Sequence, residues 1–108
     1  MRRKAKNTFE MDNLVVSTIK GHIGRENAIS GDELFKILND KGYHITRKSI
    51  INIVERVIEE RYLPICSLNR NGYYFPKDKE DIEVAISHLQ LRVDGLNKRI
   101  DFLKRFIF

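Results

Sequence analysis

The stretch SLNRNGYYFP, residues 67–76, decides how the rest of the chain is read. Ser67 and Leu68 read as the end of one strand, and Tyr73, Tyr74 and Phe75 as a second. Asn71-Gly72 between them tolerates positive φ, which a tight hairpin turn needs. Upstream, Pro64 blocks helix continuation, so the residues ICSL at 65–68 complete the first strand. The predicted hairpin projects Arg70 from its tip, flanked by Asn69 and Asn71.

The segments before it have a helical period. NLVVSTIKGHIG places Val15, Val16, Ile19 and Ile23 on one face, and Gly24 is expected to end that helix. Ala28-Ile29 can pair as a very short strand. Ser30 opens a second helix with a capping box, because Glu33 lies three residues on and reaches back to the Ser30 backbone. Leu34, Ile37 and Leu38 form its buried stripe, and Gly42 stops it. Thr46 caps the third helix, RKSIINIVERVIEER. At 100° per residue, Ile50, Ile53, Val54 and Val57 share a core face, while Lys48, Asn52, Glu55, Arg56 and Glu59 point away.

The order is helix, short strand, helix, helix, hairpin. It gives a mainly α fold, a winged helix-turn-helix (α-β-α-α-β-β) over residues 12–76. SGDELFKILND, ITRKSIINIVERV and NGYYFP together resemble the N-terminal DNA-binding domain of biotin-ligase repressors. GRENAIS, PICS and GYY are similar to small winged-helix proteins of phages and prophages. The resemblance implies a DNA-binding head. No ligase domain accompanies it in these residues, so biotin chemistry is not implied. The turn before Thr46 is longer than the repressor pattern.

Residues 77–108 carry a different signal. Ile82, Ile86, Leu89, Val93, Leu96, Ile100, Leu103 and Ile107 recur at spacings of 4, 3, 4, 3, 4, 3 and 4, an unbroken heptad seam. With Ile86 at position a, β-branched residues fill a and mostly leucine fills d, which favours a two-stranded coiled coil. A helix from Lys79 to Ile107 spans roughly 43 Å, against a radius of gyration near 11 Å for a head of about 75 residues. The helix therefore overhangs its head and its far end needs a partner, a second copy of the chain; the alternative is that the helix folds back on its own head, mainly over its first two turns. Arg99 would face Lys104 across a parallel pair, so antiparallel pairing and a larger bundle stay open. Leu91, Phe102, Phe106 and Phe108 lie off the seam.

The 108 residues carry a formal net charge of +5 with 20 basic and 15 acidic side chains, and a sequence pI of about 9.5. A basic balance favours an acidic partner such as nucleic acid. The first eleven residues read as a basic, disordered tail. No apolar run approaches the roughly 20 residues of a membrane span, and the single cysteine, Cys66, fits a reducing cytoplasm, that of the bacterial host for a phage protein. His22, His44 and His88 lack metal-ligand spacing, and no phosphate loop or nucleophile motif occurs. Neither metal, cofactor, small-molecule ligand nor catalytic residue is expected.

The expected contacts to double-stranded DNA follow from the fold order. The N-terminal part of the third helix enters the major groove with Arg47, Lys48, Ser49 and Asn52, and Arg56 two turns on meets phosphate. Asn69 and Arg70 at the hairpin tip reach a minor groove. The function expected is a dimeric or higher-order phage or prophage transcription regulator or replication-origin binder. The alternative is a protein–protein adaptor in replication or virion assembly, using the same head and tail.

Overall fold

The computed structural model of the chain describes residues 4–67 and 72–107. It is mainly helical, with a two-stranded antiparallel sheet and a long C-terminal helix. The elements are α1 (Lys4–Lys20), a 3-10 turn (Arg25–Asn27), α2 (Gly31–Asp40), α3 (Arg47–Arg61), β1 (Cys66–Ser67), β2 (Tyr73–Tyr74) and α4 (Lys79–Lys104). Among the described residues no helix is long and apolar enough to cross a membrane.

The first helix corrects the expectation for the tail. It begins at Lys4, inside the residues expected to be disordered. Packing explains the extension. Met11 lies against the core, buried Asp12 holds Arg56, and the Arg61 guanidinium sits 5.5 Å from the Phe9 ring centre. At the other end α1 stops at Lys20, short of Gly24. Ile23 consequently leaves the buried stripe and is half exposed. Its backbone neighbours turn to the sheet instead: Phe75 N donates to His22 O at 2.9 Å, and Gly24 N to Phe75 O at 2.8 Å.

The caps form as the residue types require. Ser30 Oγ accepts from Glu33 N at 3.1 Å, and Ser30 N donates to Glu33 Oε1 at 3.3 Å. Thr46 Oγ1 accepts from Ser49 N at 3.3 Å. Helix α3 ends where Tyr62 adopts the left-handed conformation, φ 58°. Val15, Val16 and Ile19 of α1, Leu34 and Leu38 of α2, and Ile50, Ile53, Val54 and Val57 of α3 make one buried core.

The sheet closes that core. Cys66 pairs with Tyr74 and Ser67 with Tyr73. Ile29 bridges Tyr73 on the other edge, with both backbone hydrogen bonds formed at 2.8 and 2.9 Å. The expected strand at Ala28-Ile29 is thus a single bridge. Gly72, at φ 132°, lies so close to the Ile29 carbonyl that no Cβ fits. The two tyrosines face opposite ways, and both sides are covered. Tyr73 packs on the helical core, and Tyr74 is fully buried with Cys66 and Ala85 of α4.

Among the described residues, helix α4 is buried against the head near its start. Asp78 caps it, accepting from Asp81 N at 3.0 Å. Asp81 and Ala85 are its buried residues, and from Leu89 on every described residue is exposed. The radius of gyration of 16.5 Å reflects the overhang. A compact chain of this length would have about 13 Å.

Candidate nucleic-acid interface

The outward side of α3 follows from its burial pattern. With Ile50, Ile53, Val54 and Val57 facing the core, Lys48, Ile51, Asn52, Glu55 and Glu59 are exposed. Lys48 and Asn52 make no side-chain hydrogen bond or ion pair among the described residues, so their donors are free for a ligand. Arg47, beside them, is engaged. Its Nε lies 2.9 Å from Asp32 Oδ1, and its guanidinium sits 5.2 Å from the centre of the Phe35 ring. The ion pair is about 70% exposed on both sides. Such pairs contribute about 0–1 kcal/mol, so a phosphate can displace Asp32 readily.

Two expected contacts have other roles. Ser49 Oγ lies 3.0 Å from Thr46 Oγ1 within the cap, which occupies its hydroxyl. Arg56 is half-buried and turned to α1. Its Nε and Nη2 donate to the two oxygens of Asp12 at 3.2 and 2.5 Å. The hydrogen bonds to that carboxylate raise the Arg56 pKa further. This fork holds α3 on α1, and it leaves Arg56 poorly placed to meet phosphate. Asn69 and Arg70 lie outside the described residues.

A groove of about 350 Å³ runs beside the start of α3, between Arg47 and Ile51 on one wall and Gly72 and Tyr73 on the other, with Ser30 and Asp32 at its end. Ile51, which sequence reasoning missed, is half exposed. The signal was present, because Ile51 falls off the stripe set by Ile50, Ile53 and Val54. Asp32 carried no such signal, because only folding brings the start of α2 to the start of α3.

A second polar cluster fixes α4. Asp81 is fully buried. Its Oδ1 accepts from Arg25 Nη1 at 3.0 Å and its Oδ2 from Lys77 N at 3.0 Å. Tyr74 OH donates to the Asp81 carbonyl at 3.1 Å. Burial first, and then the neighbouring Cys66 and Asp81, push the Tyr74 pKa up to about 12. Burial also raises the Cys66 thiol, which makes it a packing residue and a poor nucleophile. Among the described residues no group of His, Cys, Asp or Glu is arranged to hold a metal ion.

The geometry thus presents a polar helix face, a groove at its edge and a helix fixed at one end. No family model, curated protein or solved structure matches this chain.

Proposed function

We propose that the chain is an oligomeric DNA-binding protein whose head works as a winged helix-turn-helix, α3 being the helix that enters the major groove. The observation that carries this reading is the exposed, uncommitted pair Lys48 and Asn52 one turn apart near the start of α3. Lysine donates to guanine O6 and N7, and asparagine pairs with the N6/N7 edge of adenine. Arg47 reinforces them once Asp32 is displaced. The order of elements and the Ile29–Tyr73 bridge support the winged arrangement. The segment between β1 and β2, which carries Arg70, is then the wing. The net charge of +5 favours the polyanion, and α4 joins two heads. A role in phage or prophage transcription control or origin binding fits a small regulator working in the host cytoplasm.

The test is fluorescence anisotropy with labelled duplex across a salt series. Affinity should fall linearly with salt on logarithmic axes, and Lys48→Glu should lower it at least tenfold. Binding no tighter than that of an acidic control protein at low salt refutes the reading.

A second reading has its own observation. Ile51, Glu55 and Glu59 share the outward face of α3, and an exposed apolar residue followed by two acids suits a protein partner. Partner capture that survives nuclease treatment and Lys48→Glu would favour an adaptor.

A further inference from the structure

Helix α4 meets its own head along one face and leaves its seam on another. Asp81 and Ala85 face the head. Ile82 is 40% exposed, Leu96 61% and Ile107 77%, and the other five seam residues lie between these extremes. At 100° per residue the seam lies roughly a quarter turn around the helix from the docked face. The docked face therefore does not compete with the seam, and the seam is open along its full length.

We propose that α4 pairs with α4 of a second copy, running antiparallel, in the register that sets Ile86 against the partner's Leu103. This rests on the dimeric DNA-binding reading above and adds its geometry. In that register Val93 meets the partner's Leu96, Ile100 the partner's Leu89, and Ile107 the partner's Ile82. All eight seam residues are covered, each a against a d. Eight half-exposed aliphatic side chains offer roughly 100 Å² apiece, about 800 Å² per copy, the standard size of a stable interface.

The flanking residues favour the same direction. Antiparallel pairing sets e against e and g against g. Glu83 then meets the partner's Lys104. Parallel pairing sets g against e, where Arg99 meets the partner's Lys104 and no flanking pair has opposite charges. The antiparallel form carries one like-charged pairing of its own, Arg92 with the partner's Arg99. The direction also decides where the apolar end goes. Phe102 and Phe106 are more than half exposed, with their rings in edge contact at 5.3 Å between centroids. A parallel pair leaves them in water at the far tip. An antiparallel pair brings them to the partner's head.

Symmetry supplies a consequence for DNA. An antiparallel pair has its two-fold axis normal to the plane of the two helices. Because each head sits a quarter turn from the seam, that axis keeps both heads on one side of the plane. A parallel pair puts them on opposite sides. In the proposed register the two copies of Asp81 lie about 40 Å apart along the stalk. That is close to one turn of duplex, about 34–36 Å, the spacing at which paired reading heads meet successive major grooves.

The experiment is electron-spin distance measurement on the full chain with Cys66→Ala, labelled singly at Asp94→Cys or Arg105→Cys. Neither position belongs to the seam or to the pairs named above. Antiparallel pairing gives a short distance at 94 and about 30 Å at 105. Short distances at both positions, on a dimer by sedimentation, mean a parallel pair; they overturn this proposal and leave the dimeric reading standing. Monomers at micromolar concentration with no dipolar coupling overturn both. A third labelling site at Ser87→Cys, where the register gives about 20–25 Å, guards against a variant that fails to fold.

Discussion

Asp81, without solvent exposure, accepts a hydrogen bond at 3.0 Å from Arg25 Nη1, a residue 56 positions earlier in the chain. The same carboxylate holds the Lys77 backbone N–H, and the Asp81 carbonyl takes the Tyr74 hydroxyl. One residue thereby ties the 3-10 turn, the end of β2 and the first turn of α4 together. Asp81→Ala leaves the Lys77 N–H without an acceptor and opens a polar void. The expected loss is about 2 kcal/mol of stability, measured by urea unfolding. Spin-label distances between the two heads should broaden in this variant even where it stays folded.

Gly72 supports the sheet in another way. Its φ of 132° and its contact with the Ile29 carbonyl leave no room for a side chain. Gly72→Ala should therefore separate Ile29 from Tyr73 and lower stability by about 3 kcal/mol or more. Thermal unfolding checks this. A melting temperature within about 2–3 °C of the parent's, where about 1 kcal/mol shifts it by 4–8 °C, would contradict it.

Arg56 and Lys48 separate structure from recognition. Arg56→Ala removes the fork on Asp12 and leaves a buried carboxylate without its partner, so it should destabilise the head by about 1–3 kcal/mol. DNA affinity of the folded fraction should change less than threefold, because the guanidinium faces α1. Lys48→Ala should do the reverse: little change in melting temperature, weaker binding, and a salt slope reduced by about 1. Asp32→Asn releases Arg47 and removes a negative charge beside the groove, so it should tighten binding a few-fold.

Tyr74 sets an upper pH limit. Its folded pKa is raised to about 12, above the ordinary value of about 10 for an unfolded chain. The folded state therefore holds the phenolic proton more tightly. This stability is fully present below about pH 10 and is lost between about 10 and 12, at up to about 1.4 kcal/mol per pH unit. Tyr73 is raised by burial in the same direction. Tyr74→Phe should flatten the alkaline limb of the stability curve, at the expense of the hydrogen bond to Asp81.

Much of the architecture is legible in local signals. Ser30 and Glu33 announce a cap, Thr46 another, and the helical period of Ile50, Ile53, Val54 and Val57 assigns the core side of α3. These depend on neighbours within one or two turns, where spacing alone determines which atoms meet. What spacing cannot supply is long-range pairing. Nothing near Arg56 in the sequence indicates Asp12, nothing near Arg47 indicates Asp32, and Asp81 reads as an ordinary first-turn acid until Arg25 is placed beside it. For the same reason the residues before 12 read as a tail, although Phe9 meets Arg61 on α3. In the candidate interface, Lys48 and Asn52 are legible because an exposed helix face is a local property. The engagement of Ser49 in the cap is local too, because Thr46 and Ser49 share one turn.

The stalk gives the prediction that bears most directly on assembly. Val93 and Leu96 lie at the centre of the proposed antiparallel overlap, and they are 47% and 61% exposed in the single chain. Both lie beyond Asp81 and Ala85, the buried residues of α4, in the part of the helix where every described residue is exposed. Val93→Glu should therefore leave head stability unchanged, since no head contact is lost. It should still abolish pairing, because it puts two like charges into adjacent layers of an apolar seam. Sedimentation should show the parent as a dimer and the variant as a monomer at micromolar concentration, with the same melting temperature for the head. DNA affinity should then fall by the factor that linking two heads supplies, on the order of 10²–10⁴ when both sites are engaged. If Val93→Glu sedimented like the parent, the seam would not be the joint. If it became monomeric with no loss of affinity, one head would suffice and the spacing argument would have no bearing on DNA.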